Sequence, residues 1–388
     1  VIITHSPPRI AAYVEDIKKE IDLIGGLVSP RRKVVQVHWG GGTPTYLRPE
    51  QALDVFRRIE SKFDFAPDAE IGIEIDPRGV PREYLAALRG AGFNRVSFGI
   101  QDFDPAVQKA VNRVQPEETG RDVVRWSREL GFDSVNVDLI YGLPHQTVES
   151  YKSTLDKIID ISPDRLAVFN YAYVPWLKKH QRVIPEAALP EASERLRLLK
   201  LIIETLTSAG YVYIGMDHFA KPGDELARAL ADRTLYRNFQ GYSTRANAEV
   251  YAMGVTSISQ LRSAYAQNTK DTALYAAMLD RGSIPTQVGR RLDEDDKVRR
   301  YVITEIMCNS RVVKTEVAAR FGVDFDSYFA SSTAKLDEFV RDGLLSLHPD
   351  RLEVHEAGRL VIRNVAMAFD RYLDAQAGDK KPLYSRTV

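Results

Sequence analysis

The sequence predicts an α/β fold: a six-unit partial (β/α) barrel, its first unit incomplete, followed by a mostly helical C-terminal domain. Three observations predict it. Short β-branched runs alternate with amphipathic helical segments at roughly 30-residue spacing, the pattern of βαβ units and a parallel sheet. The runs are apolar nearly throughout, as strands covered on both faces are. Each run closes on a polar or glycine-bearing loop, so one rim of the sheet collects the chemistry.

Residues 9–25 carry Ile10, Tyr13, Val14, Ile17, Ile21 and Ile24 at helical spacing, entering after Pro7-Pro8 and leaving at Gly25-Gly26. The run Val34, Val35, Val37 then delivers a glycine-rich loop, HWGGGTPT. A helix over 49–62 follows, with proline at its first position. The unit repeats, with strands expected over 70–75, 95–100, 134–140 and 165–170 and helices over 81–89, 105–111, 117–130 and 147–161. That makes five strands, and a sixth, N-terminal to Val1, would complete the barrel.

Beyond Pro175 a long helix is expected over 187–208, then a strand over 211–215 closing on Met216-Asp217-His218-Phe219. Residues 237–259, rich in small residues, Gly and Tyr, are expected to cover the barrel mouth or complete its edge. From Glu294 the chain turns helical: three helices, a hairpin in LLSLHPDRLEVHEAG and a last helix over 358–375. The predicted division is a barrel domain with its extension over 1–293 and a winged-helix-like domain over 294–388.

Composition narrows the partners. Lys+Arg and Asp+Glu both number 53, so no global basic field points to nucleic acid. The third helix of the winged region is not basic either, which argues for a cap or docking domain rather than DNA binding. No apolar run approaches the ~20 residues that span a membrane. The one cysteine, Cys308, excludes a disulfide framework. With no secretory leader visible, it predicts a cytoplasmic protein.

The strand-end residues are Gly40–Thr43, Glu74, Gln101, Asp138 and Ala172, with Arg113 in a nearby loop. Singly, each has a bland alternative. Glu74 or Asp138 can cap a helix, Gln101 can satisfy a loop backbone, and Arg113 can be a surface ion pair. Together they place two carboxylates, an amide and a guanidinium around one rim. That set suits a ligand with an amine, a carboxylate, ribose hydroxyls and an adenine.

The ordered set HWGGGTPTYL, EIDPR, FGIQDFD, VNR, DLIYGLP, FNYAYVP, GMDHFA, RNFQGYST and MGVTSIS resembles the oxygen-independent coproporphyrinogen III oxidase family. These are radical S-adenosylmethionine (SAM) enzymes of haem biosynthesis. The resemblance spans essentially all 388 residues, and GMDHFA and RNFQGY look like the oxidase rather than the haem-chaperone branch. It implies a radical SAM partial barrel that binds two SAM molecules. By motif, Gly41, Glu74 and Ile258 would contact the SAM that sits on a [4Fe–4S] cluster. Gly42, Thr43, Gln101, Arg113, Asp138 and Ala172 would line the second. Gly40 is given only a backbone role.

The implied chemistry is reductive cleavage of SAM to a 5′-deoxyadenosyl radical. The radical takes hydrogen from a propionate β-carbon of coproporphyrinogen III, and loss of CO₂ and one electron leaves a vinyl group. Two propionates react, giving protoporphyrinogen IX. An electron donor is implied, a monomer is expected, and no acid–base pair is required. The alternative is a haem-binding or haem-delivering protein on the same scaffold. An ordinary barrel aldolase would want a lysine at a strand's C-terminal end, and none of the five strands has one.

One departure stands out. The family's cluster is held by a CxxxCxxC loop, and no such loop is present; Cys308 reads as a small apolar core residue, so no metal ligand is assigned. The chain opens at Val1, a few residues after the place of that loop, so the cluster ligands are expected upstream of it. The polypeptide as given is therefore expected to be inactive. His38 and His218 have aromatic neighbours and no second ligand at metal spacing. For a substrate with four carboxylates, Arg237, Arg245 and Arg311 are candidate anchors.

Overall fold

The computed structural model describes residues 4–376. Helix α1 (Pro7–Leu27) runs through Gly25-Gly26 rather than stopping there. A Cβ on Gly25 would lie 3.0 Å from Lys62 Cβ, a tight fit.

The expected alternation follows: β1 (Lys33–Trp39), α2 (Pro49–Glu60), β2 (Asp64–Ile75), α3 (Arg82–Gly90), β3 (Arg95–Gln101), α4 (Pro105–Ala110), α5 (Glu117–Glu129), β4 (Ser134–Tyr141), α6 (Val148–Ile161) and β5 (Arg165–Asn170). Then come α7 (Ala192–Ser208), β6 (Val212–Gly215) and β7 (His218–Ala220). They form one seven-stranded sheet ordered β1-β2-β3-β4-β5-β7-β6. The first five strands are parallel, as counted from the sequence.

Three expectations change here. Residues 187–191 are not part of α7, because Leu189 and Pro190 interrupt the helix after a short 3-10 turn. The segment from His218 is not a closing loop but strand β7, antiparallel to both β5 and β6. Three residues are too few to show a period in sequence. Nor are the strands apolar on both faces. In β3, Val96, Phe98 and Ile100 are buried while Arg95, Ser97, Gly99 and Gln101 face the other way. The outer face packs under the helices in a core that includes Phe56, Phe93, Phe98 and Tyr151. The inner face is polar because the half-barrel is open and lined for a ligand rather than for packing.

Beyond the sheet lie α8 (Glu225–Ala231), the hairpin β8 (Tyr236–Asn238) and β9 (Gly241–Ser243), then β10 (Ile258–Gln260), β11 (Ala264–Asn268), α9 (Thr272–Asp280) and β12 (Thr286–Arg291). Strands β10, β11 and β12 form a separate antiparallel sheet. The turn before β10 is clamped to α1 by the buried Glu20, which accepts from Gly254 N–H (2.7 Å), Asn268 Nδ2 (2.6 Å) and the Tyr275 hydroxyl. A cavity of about 3390 Å³ opens between α1, β1, the glycine loop and residues 233–263.

The last part has its own core, built on Val302, Val312, Phe325, Phe329, Leu352 and Phe369 among others. Its elements are α10 (Glu294–Asn309), β13 (Arg311–Val313), α11 (Lys314–Phe321), α12 (Phe325–Tyr328), α13 (Ala330–Ala334), α14 (Asp337–Arg341), β14 (Leu345–Leu347), β15 (Arg351–Val354), α15 (Ile362–Met367) and α16 (Arg371–Gln376). The expected third helix is broken at Lys335-Leu336, where Leu336 turns wholly into the core. The expected last helix starts as a 3-10 turn (Ala357–Val361) and breaks again between α15 and α16. There a Cβ on Gly358 would meet Leu344 O at 2.1 Å, so close backbone approach sets the path.

Candidate active site

The glycine loop and the end of β2 form one unit. Gly41 N–H donates to Glu74 Oε2 at 3.2 Å, and His38 Nε2 lies 3.0 Å from Glu74 Oε1. Gly41 has φ of 88°, a conformation that favours glycine. Gly40 does more than its sequence role suggested: a Cβ there would lie 2.5 Å from Glu74 Cδ, so only glycine lets the carboxylate seat. Burial raises the Glu74 pKa, but hydrogen bonding and charge from His38 and the Gly41 N–H outweigh it and hold the carboxyl below its usual range. The site thus presents an ionised, partly exposed carboxylate beside an open glycine backbone.

Two strands along, Asp138 pairs in register with Gly99 on one side and Ala167 on the other. Ser97 Oγ donates to it at 3.1 Å and Asn136 Nδ2 at 2.7 Å. Burial pushes its carboxyl up to about 6, against those hydrogen bonds, and the negative charge of Glu74 adds to the rise.

Gln101 sits at a bulge with φ of 69°, unusual for a residue with a side chain. Gly99 makes room for it: a Cβ there would lie 2.6 Å from Gln101 Nε2 and 3.0 Å from Arg113 Nη2. Arg113 donates to Gly99 O at 2.8 Å and stands 3.4 Å from Asp76 Oδ2. Burial pulls its guanidinium below the ordinary arginine value, against the charge of Asp76. Its Nε is buried with no partner.

A buried buckle holds this corner. Asp102 accepts from Thr154 Oγ1 (2.6 Å), Asp104 N–H (2.8 Å) and Gln146 Nε2 (2.5 Å). Gln108 Nε2 donates to Asp102 O and Gln115 O, and the Arg113 N–H donates to Gln108 O at 2.8 Å. The loops after β3, α4 and β4 are thereby tied together around Gln101 and Arg113.

Of the nine residues expected at the site, the structure joins Gly41 to Glu74 and sets Gln101 beside Arg113. Gly41, Gly42, Thr43 and Ile258 line the cavity of about 3390 Å³. Asp138 stands on β4, next to Gly99 of β3. Ala172 lies on the exposed loop after β5, its carbonyl accepting from Gln181 Nε2 at 2.8 Å. Sequence reasoning missed His38, Asp76, Ser97, Asp102 and Asn136 as partners of these side chains. Only strand alternation could have flagged Ser97 and Asn136, which share a face with Gly99 and Asp138.

Comparison with known proteins agrees with this geometry. The Radical SAM superfamily profile matches residues 5–158 and the HemN C-terminal domain profile matches 292–361. An oxygen-independent coproporphyrinogen III oxidase of Synechocystis sp. is 48% identical over 391 residues, covering 100% of this chain and 84% of the relative. One of Thermostichus vulcanus is 50% identical over 317 residues, 81% of this chain and 98% of the relative. The chain belongs to the oxygen-independent coproporphyrinogen III oxidase family. The solved structure of coproporphyrinogen III oxidase (HemN) from Escherichia coli, titled a radical SAM enzyme, superposes with a TM-score of 0.93 at 42% identity. That match covers 96% of this chain and 85% of that one.

Family membership brings SAM and a [4Fe–4S] cluster, and the residues can be tested against each. They fit SAM: an ionised carboxylate at Glu74 suits an ammonium, the orphaned Arg113 Nε suits a carboxylate, and Gly41 leaves open space at the cavity wall. They do not fit the cluster. Among the described residues no three His, Cys, Asp or Glu stand together as metal ligands. Cys308 is 2% exposed on α10, packed with Ile214, Leu235 and Tyr242, and burial pushes its thiol up to about 12. No step through the cluster is derived from these residues.

His218 is packed among aromatic rings. Its ring stands edge-on to Phe169 and Tyr242, and burial, with Arg237 and Arg165 nearby, pushes it down to about 3. Among the candidate anchors, Arg245 is spent on Asp68 (2.9 Å) and Glu70 (3.4 Å). Arg311 sits on β13, its register partner Glu353 facing it on β15. Arg237 makes no ion pair among the described residues.

Proposed function

We propose that this chain is the scaffold on which coproporphyrinogen III is oxidatively decarboxylated at two propionates to give protoporphyrinogen IX, with two SAM molecules held at the rim. The observation that carries it is the Gly40–Gly41–Glu74 cradle: a carboxylate kept ionised and aimed at an open glycine backbone. Bound SAM, once reductively cleaved, supplies a carbon radical that can take a hydrogen atom from a propionate β-carbon.

The protein's own part is to bind, orient and exclude water. Glu74, seated by the Gly41 N–H, would hold the amino-acid end of the first SAM, with Ile258 beside it on β10. Arg113 takes a carboxylate of the second. Gln101 and Asp138 accept from or donate to ribose hydroxyls and amine, with Gly42, Thr43 and Ala172 as backbone walls. No side chain has to move a proton in the hydrogen-abstraction step. An electron donor and an electron acceptor complete the reaction.

The residues up to 293 carry this chemistry and those from 294 dock against it, a division supported by their separate apolar cores. The lone buried thiol supports a cytoplasmic setting. The haem-delivery alternative is not favoured by the relatives, which carry the oxidase's name. Calorimetric titration with SAM tests the two-site reading. Two equivalents bound, one of them weakened in Glu74→Gln, are expected; a stoichiometry of one, or none, rejects it.

A further inference from the structure

Three arginines reach the inner face of the sheet, or its rim, with their charge already met. Arg95 pairs with Glu225 and approaches Glu70 (3.6 Å); Arg165 pairs with Asp224 (2.8 Å) and Glu225 (2.9 Å); Arg245 pairs with Asp68 and Glu70. Arg237 differs. No carboxylate lies within ion-pair distance of it among the described residues, whereas its Nε is buried without a hydrogen-bond partner just as those of Arg95 and Arg245 are. Asp217 feels its charge without pairing with it.

The surroundings hold this guanidinium in place. Arg237 pairs in register with Tyr242, and its Cζ lies 5.7 Å over the Tyr242 ring. The Tyr242 hydroxyl donates to Met307 O at 3.0 Å, which pins the β8–β9 hairpin to α10. Gly215 allows the close approach, since a Cβ there would lie 2.6 Å from that hydroxyl. Next to it stands His218, neutral, with a buried and unpartnered Nδ1. A fixed, partly buried cation without an anion carries an unmet desolvation cost.

Placement says what would meet it. His218 pairs with Ala167, and Ala167 pairs with Asp138. The cation is therefore beside a residue only two strands, about 10 Å, from Asp138. Phe169, 39% exposed and edge-on to His218, gives an apolar wall between them. A cation at one end, an apolar wall and the SAM rim at the other match a flat apolar ring carrying several carboxylates.

We infer that Arg237 is a carboxylate subsite, binding a propionate arm of the tetrapyrrole other than the one being decarboxylated. It rests on the functional reading above. A planar guanidinium takes a carboxylate through two parallel N–H bonds, which lysine cannot reproduce.

The test is equilibrium binding of coproporphyrin III, a fluorescent tetracarboxylate, and of its uncharged tetramethyl ester. The 388-residue chain would be compared with Arg237→Gln and Arg237→Lys, with thermal unfolding as a fold check. Arg237→Gln is expected to weaken coproporphyrin III binding about ten- to hundredfold and to leave ester binding unchanged. Arg237→Lys, which keeps charge and bulk, is expected to fall between, and it carries the test if the Gln variant does not fold. Equal affinity in the folded variants and the parent chain overturns the subsite alone. A parent chain that binds neither porphyrin overturns the tetrapyrrole reading and the subsite with it.

Discussion

The Glu74 carboxylate occupies the space that a side chain on residue 40 would need, with 2.5 Å between Glu74 Cδ and a Cβ built on Gly40. The relation is steric before it is chemical. A methyl group there must push the carboxylate away from both Gly41 N–H and His38.

Gly40→Ala is therefore expected to lower SAM affinity at least about tenfold with little loss of folding stability, because the atoms it displaces are the far end of a flexible side chain. Calorimetric titration and urea denaturation measure the two separately. An Ala variant that binds SAM as the parent does would show that the seated carboxylate plays no part.

Asp138 gives a pH dependence with a definite sign. Its folded carboxyl titrates at about 6, above the ordinary 3.8, because of burial first and the charge of Glu74 in addition. The folded state binds this proton more tightly than the unfolded state. Its contribution to stability therefore falls as pH rises from about 4 to about 6 and is flat above that. Glu74 is held below the ordinary glutamate value. SAM affinity at the second site is expected to weaken as pH drops below about 6. His38 faces the same space, so Asp138→Asn is the comparison that isolates Asp138. A profile unchanged in that variant would assign the titration elsewhere.

Asp102 is not among the proposed SAM contacts, yet it ties down the loops that hold two of them, Gln101 and Arg113. In Asp102→Asn one carboxylate oxygen becomes an N–H donor facing the Gln146 or Thr154 donor. A loss of about 1–3 kcal/mol is expected, together with weaker SAM binding, because Gln101 and Arg113 lose their fixed backbone. Gln146→Met, which removes the same partner but leaves the carboxylate, should give part of both effects. Lost stability with intact SAM affinity would make the buckle purely structural.

Cys308 is buried and its thiol is pushed up to about 12. Iron and sulfide reconstitution of these 388 residues is expected to give no iron–sulfur absorbance, and Cys308 should resist alkylation until the chain unfolds. Cluster absorbance that vanishes in Cys308→Ser would refute this.

Much of the fold was legible because it is periodic. Five strands and their helices announced themselves through β-branched runs, prolines at helix starts and glycines after helix ends. Strand β7 and the breaks at Leu336 and Gly358 did not, because short segments carry no period and their paths are set by contacts far along the chain. The site divides in the same way. Glycines 40–42, Glu74 and Gln101 lie at strand ends, where the βαβ pattern says chemistry collects, while Asp138 lies within β4.

What the sequence determined by itself was the alternating barrel, the rim residues and the family, all of which reside in local order along the chain. Tertiary structure alone decided which face of each strand is polar, why residue 40 must be glycine, and that Asp102 buckles the corner holding Gln101 and Arg113. It also separated Arg237, which has no acidic partner among the described residues, from Arg245, which has two. The reason is physical: whether a charge is met depends on groups that approach through space. Asp68 and Glu70 reach Arg245 across more than 170 residues of chain.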